Sequence, residues 1–329
     1  MKNWIFLLFP LFLAAYEGQV ETNKTVKPWF TGPLLATSGN VTGAGHINFE
    51  PYVFAFAKTS FYNNDWNSQA IETLWNVQFR TPFWVGLTDW ADFRISPAWN
   101  WNHRDNQSQW NLGDWSASLS AQFVKDKPES WLPAIKLSVR ETFPTGKYQN
   151  LNPAKLGTDG GGMGTYSTNI GLNVSKLLHI YDIHFLSLRW NAIYSVPNAK
   201  VHVKGFNAYG GGFGTDGTVT AEQSFTAIFA FEYNLSQNWV IACDFQGIIS
   251  SKTTFEGHSG IAMGSDGNIS PSGVPAINEN MASIQYSIAP AIEYNWSDDL
   301  GMIAGVWLTL AGKNAPHFTT GVIALNYYH

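Results

Sequence analysis

The feature that most constrains this chain is a period-two alternation of apolar with small or polar residues, repeated over most of its length. Trp115, Ala117, Leu119, Ala121 and Phe123 alternate with Ser116, Ser118, Ser120 and Gln122. Ile135, Leu137 and Val139 alternate with Lys136, Ser138 and Arg140, and a longer run of the same kind extends from Ile284 to Trp296. Successive residues of a strand point to opposite faces, so each run is a strand with one apolar and one polar face. After residue 15 no stretch shows a helical period of 3.6.

Counting the runs predicts about twelve strands, near 45–58, 70–81, 84–98, 114–125, 131–143, 165–177, 180–196, 218–235, 238–252, 282–295, 300–311 and 317–328. The connections between them alternate in length. Thr81-Pro82, Lys125 to Ser130, Leu178-His179, Ser236-Gln237 and Trp296 to Asp299 are short; the others lengthen to 144–164, 197–217 and 253–281, and only the last hairpin breaks the rule. An even strand number, short turns at one end and long loops at the other are the pattern of bacterial outer-membrane barrels. The expected fold is therefore an all-β, transmembrane, antiparallel up-and-down barrel with both chain ends on the periplasmic side.

Composition fits that solution. Only 13% of the 329 residues are charged while 45% are hydrophobic and 15% aromatic, against roughly 25% charged in an ordinary soluble domain. Disorder is excluded by the aromatics. The formal net charge of -5 gives no basic footprint for nucleic acid. In a barrel one face of each strand meets lipid and only the lumen can host charge. Trp75, Trp84, Trp90, Trp115, Trp239 and Trp296 fall near strand ends, where aromatic girdles form. The expected surroundings are thus outer-membrane lipid, with small-molecule solutes as partners; the oligomeric state is left open.

The first residues read as an export signal: Lys2, then an apolar core from Trp4 to Leu13, then Ala14-Ala15. The expected organisation is a signal peptide over 1–15, a periplasmic or plug-like segment over 16–44, and the barrel over 45–329. Residues 16–44 are too polar to span lipid, yet Trp29, Phe30, Leu34 and Leu35 need burial, which favours partial insertion into the lumen. The single cysteine, Cys243, lies on an apolar face as a small hydrophobe.

The run Trp29-Phe30-Thr31-Gly32-Pro33-Leu34-Leu35, leading into Gly43-Ala44-Gly45-His46-Ile47-Asn48-Phe49-Glu50-Pro51-Tyr52, resembles the entry of the MetA-pathway phenol-degradation family of bacterial outer-membrane transporter-like β-barrel proteins. The final strand, ending in Tyr327-Tyr328-His329, resembles the terminal insertion signal of outer-membrane barrels, although these end in Phe. The family resemblance implies a channel or uptake protein, with small hydrophobic or aromatic compounds as solutes. It carries no functional residue across.

Charges on the polar parity are expected to line the lumen: Glu72, Arg80, Asp92, Arg94, Lys136, Arg140, Arg189, Glu232, Asp244 and Glu293. On the lipid face an Arg or Lys near the midplane would cost about 2–4 kcal/mol. Five basic and five acidic groups would either pair across strands and stiffen the wall or screen solutes.

Catalytic, cofactor and metal sites are not expected. None of the eight histidines stands in a His-x-Ser pair on a strand, as a barrel lipase would require. His258-Ser259 are adjacent and lie in a loop, and His184 and Ser187 differ in parity. The repeats Gly157-Thr158-Asp159-Gly160, Gly214-Thr215-Asp216-Gly217 and Gly264-Ser265-Asp266-Gly267 read as turns, since one Asp per loop is thin for calcium. The alternative to a channel is a barrel whose long loops bind a ligand or host surface.

Overall fold

A computed structural model describes residues 27–127, 130–261 and 281–329. The export signal expected over 1–15, the start of the segment behind it and the third Asp-Gly repeat lie outside the described residues. Four staves of the wall are each two strands in line: β1 (Ile47–Phe49) with β2 (Tyr52–Tyr62), β3 (Ser68–Arg80) with β4 (Phe83–Thr88), β5 (Ala91–Ser96) with β6 (Ala98–Arg104), and β7 (Gln107–Leu112) with β8 (Trp115–Val124). β9 (Ala134–Phe143), β10 (Ser167–Tyr181) and β11 (His184–Pro197) follow as single strands. The next long loop carries β12 (Val201–Lys204) and β13 (Asp216–Thr220), before β14 (Ser224–Asn234) and β15 (Trp239–Ser250) re-enter the wall. β16 (Thr254–His258) belongs to the loops again, and β17 (Ser283–Asn295), β18 (Leu300–Lys313) and β19 (Ala315–Tyr328) complete the wall.

The result is a closed antiparallel barrel of twelve staves. Closure runs through β19, which pairs with β1 at Asn48↔Tyr328 and with β2 from Ala324↔Tyr52 to Ala315↔Tyr62. The lower strands continue in the order β1-β4-β5-β8-β9, and the upper ones in the order β2-β3-β6-β7. β12, β13 and β16 form a separate three-stranded sheet that ties two long loops together beside the mouth. No helix among the described residues is long and apolar enough to cross a membrane.

The expected strand number holds, but its allocation near the start does not. Thr81-Pro82 is not a turn; it is a break within one stave, and the actual turn is Asp89-Trp90, inside the strand expected over 84–98. Residues 99–113, expected as a long loop, are most of the β6–β7 hairpin. The physical reason is proline. Pro51, Pro82 and Pro97 have no N–H to give the ladder, and their staves are neighbours. The breaks therefore meet in one crease across the wall, bridged by Glu50 N–H to Pro82 O (3.1 Å), Thr81 N–H to Pro97 O (3.1 Å) and Gly113 N–H to Ala98 O (2.8 Å). Above the crease the wall ends at β7, whose outer edge pairs with no strand among the described residues. Loop 144–166 is sewn along that edge region instead. Asp114 accepts from the N–H groups of Gly146 (2.9 Å) and Met163 (2.8 Å), and the amides of Asn100, Asn102 and Asn111 hold the carbonyls of Thr158, Gly160 and Gly161.

Outside, the alternation becomes a belt. Leu119, Phe123, Leu137, Val139, Ile170, Phe229, Phe245, Ile249, Ile292, Ile323 and Leu325 are all exposed. In water such a surface would be an aggregation site; against hydrocarbon it is the required one. Trp75, Trp90, Trp239 and Trp296 are exposed with them, and Trp115 packs edge-on against exposed Trp99. Trp84 departs from the expected girdle. Its parity on β4 turns it into the lumen, where Arg94 lies over its ring at 5.3 Å. Leu137→Arg, in the middle of β9, is expected to lower folding stability in lipid vesicles by about 2–4 kcal/mol, measured by denaturant titration. An unchanged midpoint would contradict a lipid-facing belt.

Candidate functional site

Residues 27–44 run inside the barrel and visit its staves in turn. Asn295 on β17 donates to Trp29 O (3.1 Å), and Glu293 accepts from Thr31 N–H (2.9 Å). On β15, Asp244 accepts from Ala36 N–H (2.9 Å). Asn191 on β11 pairs with both the N–H and the C=O of Thr37 (2.9 Å each). Ser175 on β10 accepts from Gly39 N–H (3.0 Å), and Lys136 on β9 donates to Asn40 O (2.7 Å). Gln122 on β8 bonds the Asn40 side chain (2.9 Å), and Asp92 on β5 accepts from Thr42 N–H (3.0 Å). A segment with no strand of its own thus has its backbone satisfied by side chains of the wall, as a buried backbone must.

Apolar contacts hold the opposite side of the segment. Leu34 is buried with Ala242, Ala289, Ile303, Val322 and Ala324, and Leu35 packs against that cluster and against Ile228 and Ala230. Burying each such side chain contributes about 1.5–3 kcal/mol. Close approach is needed at Gly86, where an added Cβ would lie 1.7 Å from Gly43 O. Gly32 has φ +108° and lies under the Arg189 guanidinium.

The ten charged residues singled out from parity fall into three groups. Asp92, Lys136, Arg189, Glu232, Asp244 and Glu293 surround the segment. Arg189 bridges Ala36 O (3.2 Å) and the fully buried Glu232 (2.8 Å), and Ser187 also donates to Glu232 (2.9 Å). Arg80, Arg94 and Arg140 form a cationic side on β3, β5 and β9, where Arg80 donates to Gln78 (3.1 Å) and Arg140 to Asn169 (3.2 Å). Glu72 stands apart, exposed at the loop-bearing mouth with Arg104 (2.9 Å). Arginines therefore gather on β3, β5 and β9, with Asp92 beside them on β5, while Glu232, Asp244 and Glu293 gather on β14 to β17.

Parity counting over charges missed several members. Gln122, Ser175, Asn191 and Asn295 bind the segment, and their signal was their polar parity. Glu50 accepts from Asn48 (2.9 Å), Asn326 (2.5 Å) and Tyr52 (3.2 Å); it sits at the crease beside Pro51 and shares the inward parity of Asn48 and Tyr52.

Above the segment, a small cavity of about 40 Å³ is lined by Trp84, Arg94, Lys136, Arg140, Ser118 and Asn169, among others. A wider vestibule of about 330 Å³ opens above it towards the mouth, lined in part by Met163, Tyr209, Val196, Asp114 and Glu222. Asn169 borders both. Burial in the vestibule pushes the Glu222 carboxyl above its ordinary range.

Two sequence readings meet unexpected geometry. His103 and Ser108, unlinked by spacing, become cross-strand partners in the β6–β7 hairpin with Nδ1 2.7 Å from Oγ. Among the described residues no hydrogen bond orients the other ring nitrogen, so the pair lacks the third member of a hydrolase triad. The Asp-Gly repeats also differ from one another. Asp159 is buried and ion-paired to Lys147 (2.7 Å), whereas Asp216 lies on β13 facing His202 (3.1 Å). No group of three or more His, Cys, Asp or Glu suited to a metal gathers among the described residues.

No family model matches the chain, and no curated protein does. Solved structures do. An outer membrane channel from Pseudomonas putida F1 superposes with a TM-score of 0.61 at 12% identity, over 88% of this chain and 97% of that one. The NanC porin gives 0.40 at 7% identity, over 84% and 98%. The CymD monoaromatic hydrocarbon channel gives 0.39 at 7%, over 87% and 88%. The first likeness shows a shared fold. Together with the apolar belt, it defines the class: the chain is a transmembrane β-barrel with the fold of that outer membrane channel.

Removing a carboxylate that holds the segment should loosen it locally. In Asp244→Ala the Ala36 N–H loses its partner, at about 1–3 kcal/mol. Amide hydrogen exchange over residues 31–42 is expected to quicken on the order of tenfold or more, with exchange in β15 unchanged; protection equal to wild type would contradict the tie. Arg189→Met strands a fully buried Glu232 and should cost about 3–5 kcal/mol. Arg189→Met with Glu232→Gln should recover part of that loss in the same unfolding titration.

Proposed function

We propose that the protein is an outer-membrane channel for passive passage of small solutes, controlled by the segment inside its lumen. The observation that carries this reading is the run of space from the vestibule through the Asn169 level to a charged section, closed below by residues 27–44. That segment is held by hydrogen bonds and Leu packing, not by strand pairing, so it can leave the lumen without disturbing the ladder. An ionic network serving only to stiffen the wall would pair its charges with one another. Here Asp92, Asp244, Glu293 and Lys136 bond the backbone of the segment instead.

Small hydrophobic or aromatic compounds are the proposed solutes. The resemblance of residues 29–52 to the phenol-degradation family supports this choice. So does the mixed lining of the vestibule, where Met163, Val196 and Tyr209 supply apolar surface beside hydroxyls and amides.

Planar-bilayer recording on purified protein tests the reading. The full chain is expected to give a small conductance, and a variant lacking residues 28–44 a severalfold larger one. Silence from both, with no uptake of phenol into liposomes, would sink the channel. A second reading draws on the β12–β13–β16 sheet, which joins two long loops into a platform suited to surface binding. It expects trimming of those loops to abolish adhesion or ligand capture while leaving conductance intact or raised.

A further inference from the structure

The barrel ladder places three cationic side chains and a tryptophan around one small space. Reading across the registers, Trp84 is opposite Arg94, Arg94 opposite Ser118, Ser118 opposite Arg140, and Arg140 opposite Asn169. Trp84, Arg94, Ser118, Arg140 and Asn169 therefore form one hoop on the inner face. Arg94 and Arg140 are two strand spacings apart, roughly 10 Å at the backbone, close enough for two long guanidinium side chains to converge. Lys136 lines the same cavity from below, and no carboxylate does.

The donors of this cavity are under-used. Arg94 makes no hydrogen bond or ion pair among the described residues, only the contact with the Trp84 ring. Arg140 donates through one nitrogen to Asn169, and its buried Nε has no partner. Lys136, buried, gives one hydrogen bond to Asn40 O. Across the lumen the arrangement is different: Arg189 on β11 is committed to Glu232 and Ala36 O. A cluster of positive charge taken out of water is costly unless an anion or hydrogen-bond acceptors complete it. Guanidinium forks match a carboxylate's two oxygens.

We infer that this cavity binds the carboxylate of a small organic acid whose apolar body extends upward into the vestibule. Size supports the division. A space of about 40 Å³ holds about three water-sized groups, the heavy-atom count of a carboxylate, whereas the vestibule of about 330 Å³ accepts a ring or short chain. The vestibule's own carboxylates, Asp114 and Glu222, select against a second negative charge at the far end. The ligand class is therefore a monocarboxylate with an apolar body. This inference deepens the channel reading by naming a solute class, but binding is measured without transport, so the two fail separately.

Ligand-observed saturation-transfer NMR on the full chain in detergent provides the test, with benzoate as probe. Benzoate is expected to bind, neutral benzyl alcohol to fail to displace it, and terephthalate to bind more weakly. Arg94→Gln removes no hydrogen bond made by the described residues, so the variant is expected to fold, checked by gel migration with and without heating against wild type. It is expected to weaken benzoate on the order of tenfold or more, with Arg140→Gln doing the same. Lys200→Gln, at an exposed loop cation paired with Glu256 and outside the cavity lining, should leave benzoate affinity within about twofold. Absence of benzoate binding at millimolar concentration would overturn the assignment, as would equal displacement by benzyl alcohol. So would undiminished binding in folded Arg94→Gln and Arg140→Gln.

Discussion

In hydrocarbon, a backbone N–H or C=O without a partner costs several kcal/mol, and no water is present to supply one. The rest of this structure follows from meeting that requirement by closure. β19 pairs with β1 and β2, so the lower wall has no free edge. A closed wall fixes which residues face lipid and which face inward. Once the outer face must be apolar, most of the charges that the membrane-crossing strands carry are driven into a narrow interior. Those inward charges then need partners of their own, and much of the interior is organised around supplying them.

Residues 27–44 meet part of that need. Their amides approach Asp92, Asp244 and Glu293, and their carbonyls approach Lys136 and Arg189. The exchange is mutual, because the segment forms no ladder and would otherwise carry buried, unpaired peptide groups. Leu34 adds an apolar contact on the β15–β19 side, where Ala242, Ala289, Ile303, Val322 and Ala324 face inward. The cationic side contrasts with this. Arg94 and the Nε of Arg140 have no such acceptor, and the segment passes beneath them. One interior therefore holds a section whose charges bond its own chain and a section whose guanidinium donors are under-used, with Glu50 and Asp92 acting on Arg94 through space alone.

Much of the wall was legible because a lipid face and a lumen face impose strict alternation. Leu137 and Lys136, adjacent in sequence, meet opposite surroundings for that reason alone. Legibility failed where alternation was interrupted. Pro82 looked like a turn because proline ends most strands, yet here it shares a crease with Pro51 and Pro97 and the stave continues through it. Glu50 and Trp84 keep the inward parity straight through that crease, Glu50 with Asn48 and Tyr52 and Trp84 with Arg80. The His103–Ser108 contact lay beyond sequence reasoning for a related cause: the hairpin that pairs them occupies residues assigned to a loop.

By itself the sequence determined the wall: an even-numbered antiparallel barrel, its lipid face, and most of the charges compelled to turn inward. Period two is a local property, repeated in every strand, and local patterns can be read without coordinates. What each inward charge touches was decided only by the tertiary structure. Asp244 meets Ala36 across 208 positions of sequence. Arg94 comes level with Arg140 through the pairing of three strands. Parity gives the face of a residue, but the stagger of the staves and the path of residues 27–44 set its neighbours. That separates the charges that hold the segment from the charges left open to a ligand.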